Sequence, residues 1–476
     1  MPHSTPRLVS TRGSSQCEDF TSLKVQGLCP ENGGLYVPSH FPHVGLPVLE
    51  SWRGYSFPVL AQAVLSLYLP ETTISTDDLK RLLEKSFSTF EDERVTPIVT
   101  IDANFHLLEL YRGPTLSFKD IALQFLGNFL EYLVQKQTVD KPVVVLGATS
   151  GDTGSAAIAG LEGKTGIKVV ILYPEGRVSL VQELQMITGN SANVTCLACP
   201  GSFDECQTLV KEAFADKDVQ ARFQLLGINS INIVRILVQT VYYFYSYLRL
   251  AKKIGDSIDY SVPTGNFGDI LAGYYAKRMG LPLGQLVIAA NCNDILPRFL
   301  NTGTYSLNNV VPTISPSMDI QISSNFERYL YELSGRNSEQ VATWMHQLNT
   351  EGSFSVSSTE LAQARRDFSG YVATRDGCLE TIAQIARRSE GTMVLDPHSA
   401  IGVSAAIQAR NHDIPIVSLA TAHPAKFPDA VSKALDTVGI KNSPWLSHPS
   451  ITALVGREKN VGKLSMFTLE ALLKYL

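Results

Sequence analysis

The chain contains 476 residues, of which 44% are hydrophobic and 18% are charged, and its formal net charge is −5. This length exceeds one ordinary core and predicts two or three domains, while the composition excludes a disordered or coiled-coil chain. A slightly acidic chain without a basic stripe argues against nucleic acid as a partner. The sequence offers no apolar stretch suited to cross a membrane, and seven scattered cysteines favour a reducing compartment.

Residues 1–95 form an N-terminal region with short helical patterns, of which Thr76 to Phe87 is the clearest. Strand–helix alternation then predicts an α/β lobe over residues 96–255 and a second over 256–435, with a more polar, helical insertion at about 301–390. Residues 436–476 are predicted to form a C-terminal tail outside the two lobes. A long helix is predicted over about Ile231 to Lys253, and strands are predicted at Ile167 to Tyr173, Val194 to Ala198, Gln285 to Ala290, Met393 to Leu395 and Ile414 to Leu419. Repeated strand–loop–helix units imply parallel sheets with helices on both faces.

The first candidate functional residue is Lys119, which follows the turn Gly113-Pro114 and precedes the apolar run Ile121 to Leu133. That run is too hydrophobic all round for a surface helix and predicts a buried one. An ammonium in the first turn of a buried helix is poorly solvated and lies at the positive helix end, and both effects lower its pKa. The position suits Schiff-base chemistry, although a solvated lysine is the common alternative.

The turn after the strand predicted at Pro142 to Leu146 has the composition of an anion site. Its residues are small or carry polar side chains: Thr149, Ser150, Gly151, Asp152 and Thr153. Backbone N–H groups and the positive end of the following helix would converge there on a carboxylate or phosphate. The alternative is an ordinary strand–helix turn in which Asp152 caps the helix.

A second turn repeats this pattern after the strand that ends at Pro263. It consists of Gly265, Asn266, Phe267, Gly268 and Asp269, and a helix is predicted to follow. Gly265 and Gly268 are expected to allow positive φ and a close approach of an anion to the backbone. Two anion cradles and one candidate amine together indicate pyridoxal 5'-phosphate acting on an amino acid.

The end of a later strand supplies Thr421, whose hydroxyl can pair with a pyridine nitrogen. His423, beside a proline, is interpreted as a structural hydrogen-bonding residue, and His398 as a cap of the next helix. The Cys196 to Cys199 pair lies in an apolar run and is interpreted as buried structure. No metal site is expected.

Across most of its length the sequence is similar to the threonine synthase family, in the longer-chain branch of these pyridoxal-phosphate enzymes. The matching segments, in order, are Ser10 to Gly13, Gly27 to Pro38, Gly113 to Asp120, Ala148 to Ala156, Leu172 to Arg177, Asn229 to Asn232, Pro263 to Gly273, Ser315 to Ile320 and Thr421 to Phe427. Two features depart from the pattern. Other members of the fold type carry Asn where Asp152 stands, so Asp152 is interpreted as a helix cap. The tail, which ends in the amphipathic stretch Leu464 to Leu476, has no recognisable counterpart.

The resemblance implies fold type II of the pyridoxal-phosphate enzymes: two open parallel-sheet lobes with helices on both faces, plus an N-terminal helical region. It implies that Lys119 carries the cofactor as a Schiff base, that residues 265–269 bind the cofactor phosphate, and that Thr421 faces the pyridine nitrogen. Residues 149–153 would take the substrate carboxylate. Arg177 and Lys426 are the candidates for binding the substrate phosphate.

The implied reaction is β,γ-replacement on O-phospho-L-homoserine, which gives L-threonine and phosphate. The alternative is a threonine-synthase-like phospho-lyase that releases 2-oxobutyrate, ammonia and phosphate, and a further alternative is a catalytically silent binding protein. The intact turn at 265–269 favours the synthase, and retention of Lys119 and Thr421 argues against a silent protein. Because the resemblance begins at Ser10, a cleavable presequence is not expected and the cytoplasm is the expected compartment.

Overall fold

The computed structural model describes residues 5–14, 17–20, 22, 28–29, 31–137, 140–149, 151–189 and 191–476. Within these ranges the strands are β1 (Leu8–Ser10), β2 (Tyr36–Pro38), β3 (Ile98–Asp102), β4 (Phe105–Glu109), β5 (Val143–Ala148), β6 (Ile167–Pro174), β7 (Val194–Cys199), β8 (Gln224–Gly227), β9 (Ile258–Pro263), β10 (Leu283–Ala290), β11 (Thr304–Ser306), β12 (Ser353–Ser355), β13 (Phe368–Val372), β14 (Ile416–Ala420) and β15 (Gly462–Lys463).

The α-helices of the described residues are α1 (Leu46–Trp52), α2 (Phe57–Leu65), α3 (Thr76–Phe87), α4 (Lys119–Lys136), α5 (Asp152–Leu161), α6 (Leu180–Ile187), α7 (Phe203–Ala215), α8 (Lys217–Arg222), α9 (Ile233–Leu250), α10 (Gly268–Arg278), α11 (Ile295–Thr302), α12 (Phe326–Leu333), α13 (Ser338–Glu351), α14 (Ser358–Asp367), α15 (Arg375–Arg388), α16 (Pro397–Ala409), α17 (Pro428–Asp436), α18 (Pro449–Thr452) and α19 (Leu469–Leu473).

The five-stranded sheet has the order β15-β7-β6-β5-β8, and all of its strands are parallel. Alternate residues of β5 pack in different hydrophobic clusters. Val143 and Val145 pack in one hydrophobic cluster, whereas Val144 and Leu146 pack in another on the opposite face. Helices therefore cover both faces of this sheet, and the strand appears in the sequence as a continuous apolar run.

The six-stranded sheet has the order β13-β10-β9-β14-β4-β3, with β3 antiparallel and the remaining strands parallel. Residues 96–255 were expected to form a single lobe, yet β3 and β4 join β14 in this other sheet. The pairing of Phe105 with Ile416 joins segments that are distant in the chain. Local patterning indicates a strand but not the sheet it joins, so the segment boundaries stay a proposal.

Two long buried helices lie beneath the sheets. Helix α4 begins at Lys119 and is buried over most of its length, as the apolar run predicts. Helix α9 is buried from Ile233 to Leu248 and carries Arg235 within this apolar surface. Because α4 is buried without a break from Lys119 to Leu130 and α9 from Ile233 to Leu248, residues at their first turns are held in a poorly solvated interior.

The expected helical insertion is only partly helical. It contains α12 to α15, but also the antiparallel pair β11–β12 and the strand β13, which pairs with β10. The strand predicted at Met393 to Leu395 is wrong. The Met393 N–H donates to Ser389 Oγ at 3.0 Å, so this segment turns off the end of α15 instead of entering the sheet.

The tail packs against the five-stranded sheet. Strand β15 pairs with β7, and Leu464, Leu472 and Leu476 share a buried cluster with Cys199 and Cys206. The amphipathic pattern of this segment therefore reflects burial of one face. In the part of the chain that the structure describes, no helix combines the length and apolarity needed to cross a membrane.

Candidate active site

A pocket lies where the first turns of several helices meet the ends of parallel strands. It is lined by residues 263–270, together with Phe118, Lys119, Asp152, Ser317, Met318, His398, Thr421 and Ala422. The carboxyl ends of parallel strands are the usual position of ligand sites in open α/β sheets. The structure therefore brings together Lys119, both predicted anion turns and Thr421.

Lys119 is the first residue of α4, and its side chain is 8% exposed. Its Nζ lies 3.7 Å from Asp152 Oδ2 and 4.6 Å from the centroid of the Phe118 ring. Burial lowers the pKa of the Lys119 ammonium, Asp152 opposes this effect, and the charges of Lys426 and Arg235 add to it. A fraction of neutral amine is thereby available for nucleophilic and base chemistry.

Asp152 is not a helix cap. The N-cap of α5 is Gly151, and the Asp152 carboxylate instead accepts from Lys426 Nζ at 2.9 Å and Gln182 Nε2 at 2.9 Å. Burial would raise the pKa of this carboxyl, but the ammonium groups of Lys426 and Lys119 outweigh it and hold the pKa below its usual range. The interpretation as a cap is wrong because two cations from distant segments compete for the carboxylate.

The turn at 149–153 is organised by Thr149. Its Oγ1 accepts from the N–H groups of Gly151 and Gly154, at 3.0 and 2.9 Å, and donates to the Gly151 carbonyl. This hydroxyl is therefore occupied within the turn. The backbone N–H groups of Asp152 and Thr153 donate to no other described residue and remain available to an anion. Ser150 lies outside the described residues.

The turn at 265–269 presents a set of unpaired donors. Its lining N–H groups that donate to no other residue in the described ranges are those of Gly265, Asn266, Phe267, Asp269 and Ile270. The Gly268 N–H instead donates to Asn266 Oδ1 at 2.9 Å. Converging N–H groups at the start of α10 form a ready site for a phosphate.

The backbone of this turn differs from the expected one. Neither Gly265 nor Gly268 has positive φ; the left-handed residue is Phe267, with φ 66°. Its ring packs on Phe326 and Phe368, with centroids 5.2 and 5.3 Å apart, and these contacts hold the conformation. The glycines serve close approach instead. A Cβ on Gly265 would lie 3.1 Å from Met318 Cα and from the Ser317 carbonyl oxygen.

The carboxyl of Asp269 points away from the turn. Its Oδ1 accepts from the hydroxyls of Tyr242 and Tyr243, at 2.5 and 2.9 Å. Burial raises the pKa of Asp269 to about 6, although both tyrosines and Lys119 oppose the shift. Only the backbone N–H of Asp269 is therefore suited to contact a phosphate.

Thr421 lines the pocket at the end of β14. Its N–H donates to Ser399 Oγ at 2.9 Å, and its hydroxyl bonds to no other described residue. His398 is also in the lining and is not a cap, because Asp396 is the N-cap of α16. His398 Nδ1 pairs with Asp396 Oδ2 at 2.7 Å, and Nε2 accepts from the Ser317 N–H at 3.3 Å.

His423 lies outside the pocket lining. Its Nδ1 accepts from the Ala425 N–H at 3.1 Å, and burial lowers the pKa of His423 to about 3. The imidazole is thus neutral and caps a 3-10 turn, in agreement with its interpretation as a structural residue.

The two cations suggested for the substrate phosphate do not suit that role. Lys426 is fully buried, and its Nζ is already used by Asp152, by the Thr115 carbonyl at 2.8 Å and by Gln185 Oε1 at 3.0 Å. Three contacts use the three donors of an ammonium. Arg177 is exposed, outside the pocket lining, and its charge acts on Glu205.

Arg235 is a further buried cation that the sequence analysis did not select, and it lies outside the pocket lining. It is 3% exposed, its Nη1 donates to the Ile228 carbonyl at 2.8 Å, and its Nε has no partner. Burial lowers the pKa of Arg235 to about 10, and its charge acts on Lys119. The signal in the sequence was an arginine three residues after Asn232, in the first turn of a long and mostly apolar helix.

These groups fit pyridoxal phosphate. A buried amine of lowered pKa, a cradle of unpaired N–H groups at a helix start and a free neutral hydroxyl line the same pocket. They correspond to the aldehyde, the phosphate and the ring nitrogen of the cofactor. A Cβ at Gly265 would fill part of the cradle, which explains the glycine.

The comparisons with known proteins agree with this chemistry. Residues 90–365 match the family "Pyridoxal-phosphate dependent enzyme". Residues 7–87 match "Threonine synthase N terminus" and residues 399–475 match "Threonine synthase, C-terminal". The tail therefore has counterparts in the family, contrary to the sequence analysis.

Curated relatives cover nearly the whole chain. Threonine synthase of Saccharomyces cerevisiae is 45% identical over 91% of this chain and 90% of its own length. That of Schizosaccharomyces pombe is 44% identical over 90% of this chain and 89% of its own. The solved pyridoxal-phosphate-bound threonine synthase of Brucella melitensis has a TM-score of 0.92 and 42% identity, and it covers 99% of this chain and 98% of that one. The chain belongs to the threonine synthase family of fold type II, pyridoxal-phosphate-dependent lyases.

Proposed function

We propose that this chain converts O-phospho-L-homoserine and water to L-threonine and phosphate, with Lys119 as its catalytic residue. The observation that carries the proposal is the position of the buried Lys119 amine, which shares a pocket with the unpaired N–H groups of residues 265–270 and with Asp152. A small phosphorylated amino acid matches a site with two anion-binding turns.

Lys119, the N–H groups of the 265–269 turn and the Thr421 hydroxyl would hold the cofactor. When bound, the cofactor withdraws electrons from the substrate and stabilises negative charge next to the α-carbon. The neutral Thr421 hydroxyl would pair with the ring nitrogen without protonating it. Lys119 and Thr421 belong to segments that contact directly, since the Phe118 N–H donates to the Thr421 carbonyl at 2.9 Å.

Lys119 handles the protons of the reaction. Its neutral amine takes the proton from Cα of the substrate and holds it as an ammonium next to Asp152. The departing phosphate takes a proton from Cβ as its bond to Cγ breaks. Water then gives its proton to Cγ and its hydroxyl to Cβ, and Lys119 returns the first proton to Cα.

The substrate carboxylate would bind the N–H groups of Asp152 and Thr153 at the start of α5. The substrate phosphate would bind Arg235, because this buried guanidinium has an unpaired Nε and no carboxylate partner among the described residues. Arg177 and Lys426 are less suitable, since one is exposed and the other has no donor left. A pocket of this kind would exclude bulk water while the phosphate departs.

The test is an assay of the purified chain loaded with pyridoxal phosphate and supplied with O-phospho-L-homoserine. Equal amounts of threonine and phosphate, separated by chromatography, are expected. Formation of 2-oxobutyrate and ammonia would instead support the phospho-lyase alternative. Arg235→Gln should raise KM for the substrate at least about tenfold. Arg177→Gln is the matched control and should leave KM unchanged; equal effects of the two substitutions would remove Arg235 from the phosphate site.

The compartment we propose is the cytoplasm. None of the seven cysteines forms a disulfide, and five of them are buried, including Cys196 and Cys199 of β7. A chain that uses cysteine as a buried apolar residue is typical of a reducing compartment. Fluorescence microscopy of the tagged protein in its native host tests this location.

A further inference from the structure

A buried pair of charges, Asp152 and Lys426, lies beside the catalytic amine, and the reaction described above assigns no role to Lys426. Lys426 Nζ lies 2.9 Å from Asp152 Oδ1, and Lys119 Nζ lies 3.7 Å from Oδ2 of the same carboxylate. The side chains of Asp152 and Lys426 are 3% and 0% exposed. Separating charges this completely from water is costly, so their retention next to the reacting amine calls for a physical reason.

Further contacts fix the orientation of the pair. Gln182 Nε2 donates to Asp152 Oδ1 at 2.9 Å, and Ser317 Oγ donates to Oδ2 at 3.4 Å. Lys426 is held by the Thr115 carbonyl and by Gln185 Oε1. Oδ1 therefore faces Lys426 and Gln182, whereas Oδ2 faces Lys119 across the pocket.

We propose that Asp152 and Lys426 are a positioning pair in which Lys426 keeps the Asp152 carboxylate ionised, so that Asp152 acts as the buried counter-ion of Lys119 whenever that amine carries a proton. The inference deepens the proposed function and rests on its assignment of Lys119 as the base. In the reaction Lys119 alternates between amine and ammonium. A fixed carboxylate 3.7 Å away stabilises the ammonium without moving.

The other charged groups around Lys119 cannot replace Asp152. Lys426 and Arg235 are cations and disfavour the ammonium. Asp120 accepts from the N–H and hydroxyl of Thr115, at 2.9 and 2.6 Å, and Asp269 accepts from two tyrosines. Burial raises the pKa of both Asp120 and Asp269 to about 6. The neighbouring His398 is directed to Asp396.

The pair also explains why an aspartate is tolerated in an anion-binding turn. An unpaired carboxylate at this position would repel the substrate carboxylate expected at the N–H groups of Asp152 and Thr153. Lys426 neutralises that charge locally. Lys426 therefore reduces the repulsion of the substrate carboxylate at the 149–153 turn and also keeps Asp152 ionised as the counter-ion of Lys119. It does both without contacting the substrate.

The test measures the protonation of Lys119 directly in the cofactor-free full chain. Reductive methylation with formaldehyde and cyanoborohydride labels neutral amines, and mass spectrometry quantifies the peptide that contains Lys119 as a function of pH. Asp152→Asn changes the charge at nearly constant volume. It should lower the pKa of Lys119 and raise its labelling at pH 7 about tenfold, the effect of removing one close opposite charge.

A double-mutant cycle tests the part assigned to Lys426. If Lys426 keeps Asp152 ionised, Asp152→Asn should change Lys119 labelling less in the Lys426→Met background than in the parent, and Lys426→Arg should restore the parental difference. The exposed pair Lys463 and Glu175, 2.8 Å apart, provides matched controls. Lys463→Met and Glu175→Gln should leave Lys119 labelling unchanged.

Several outcomes overturn the inference. Unchanged or decreased labelling of Lys119 in Asp152→Asn would remove Asp152 as its counter-ion. An equal effect of Asp152→Asn in both backgrounds would remove Lys426 from the pair. If Lys426→Met does not fold, Asp152→Asn still decides the first point, and the uncharged Lys426→Gln takes the place of Lys426→Met in the cycle. A chain that makes no threonine but shows these shifts would refute the proposed function and leave the pair intact.

Discussion

Asp152 and Asp269 occupy similar local positions, at the start of the helices that follow β5 and β9, yet their acidities are shifted in opposite directions. The ammonium groups of Lys426 and Lys119 hold the pKa of Asp152 below its usual range, whereas burial raises that of Asp269 to about 6. Both segments consist of a strand, a turn that contains glycine and the start of a helix. The difference lies in their partners, since lysines face Asp152 and tyrosines face Asp269.

The different partners of Asp152 and Asp269 would give the two turns different chemical roles. The turn at 265–269 keeps its carboxyl turned away and offers N–H groups alone, which suits a dianionic phosphate. The turn at 149–153 keeps an ionised carboxylate close to Lys119 and balances it with Lys426. One turn would thus be a passive anion cradle, and the other would contribute to proton transfer.

The largest expected effect comes from removing the amine that lies between the two turns. Lys119→Ala should reduce threonine formation by about 10³-fold or more, because no other amine can take the α-proton. It should also abolish the absorbance of the Schiff base. Phosphate binding at the 265–269 turn should persist, which equilibrium dialysis with pyridoxal phosphate can measure. Substantial residual activity would contradict the assignment of both turns to one active site.

The opposite pKa shifts predict different pH dependences of stability. The pKa of Asp269 is raised in the folded state to about 6, so the folded state binds this proton more tightly and loses stability as pH rises from about 4 to about 6. Relative to Asp269→Asn, the parent should lose about 3 kcal/mol of unfolding free energy over this window. Urea titrations at several pH values measure the difference.

Asp152→Asn is the control for that measurement. Because the folded pKa of Asp152 is lowered, its contribution to stability is present above pH 4 and is lost only as pH falls below that value. The difference between this variant and the parent should therefore be flat from pH 4 to 6. A slope in this window similar to that of Asp269→Asn would remove the contrast between the two carboxyls.

Gly268→Val tests the cradle at the second turn. A Cβ at this position would lie 3.1 Å from Asn266 Oδ1 and 3.4 Å from Ile236 Cδ1, so a branched side chain must displace the turn. Cofactor affinity should fall by about 2 kcal/mol, roughly 30-fold, while the fold persists. Titration of the cofactor-free protein with pyridoxal phosphate checks it, and an unchanged affinity would remove this turn from the phosphate site.

Gly151→Ala is the matched change at the first turn. Gly151 has φ 149°, and a Cβ there would lie 2.5 Å from Gln182 Nε2. The strain should raise KM for the substrate roughly tenfold and leave cofactor affinity near that of the parent. Steady-state kinetics together with cofactor titration separate the two effects. Loss of cofactor affinity equal to that of Gly268→Val would show that the turns do not divide the ligands.

Thr421→Val should give the smallest effect. It removes one hydroxyl that is free to pair with the cofactor ring, and the expected loss is about 1 kcal/mol in cofactor affinity, roughly fivefold. KM for the substrate should not change, because Thr421, like the 265–269 turn, would contact the cofactor and not the substrate. Identical cofactor affinities for the variant and the parent would separate Thr421 from the ring nitrogen.

Much of the fold follows from local patterns. The buried helix after Lys119, the strands β5, β6, β7, β9 and β10 and the long helix α9 were all predicted within a few residues, because burial on both faces leaves continuous apolar runs. The strand predicted at Met393 to Leu395 was wrong, since a short apolar run there leads only from one helix to the next. The packing of the tail could not be predicted from the local sequence, because its apolar face contacts a surface formed by β7 and α7, which are distant in the chain.

The sequence by itself determined the chemistry that the chain can perform: one lysine at the start of a buried helix, two glycine-containing turns between a strand and a helix, and a threonine at a strand end. These depend on residue type and on near-neighbour spacing. Only the tertiary structure decided which charges meet. Asp152 pairs with Lys426 across 274 positions of sequence, the charge of Arg235 in α9 acts on Lys119, and Asp269 accepts from two tyrosines. Electrostatic interactions in a poorly solvated interior depend on distance in space, which no local pattern encodes.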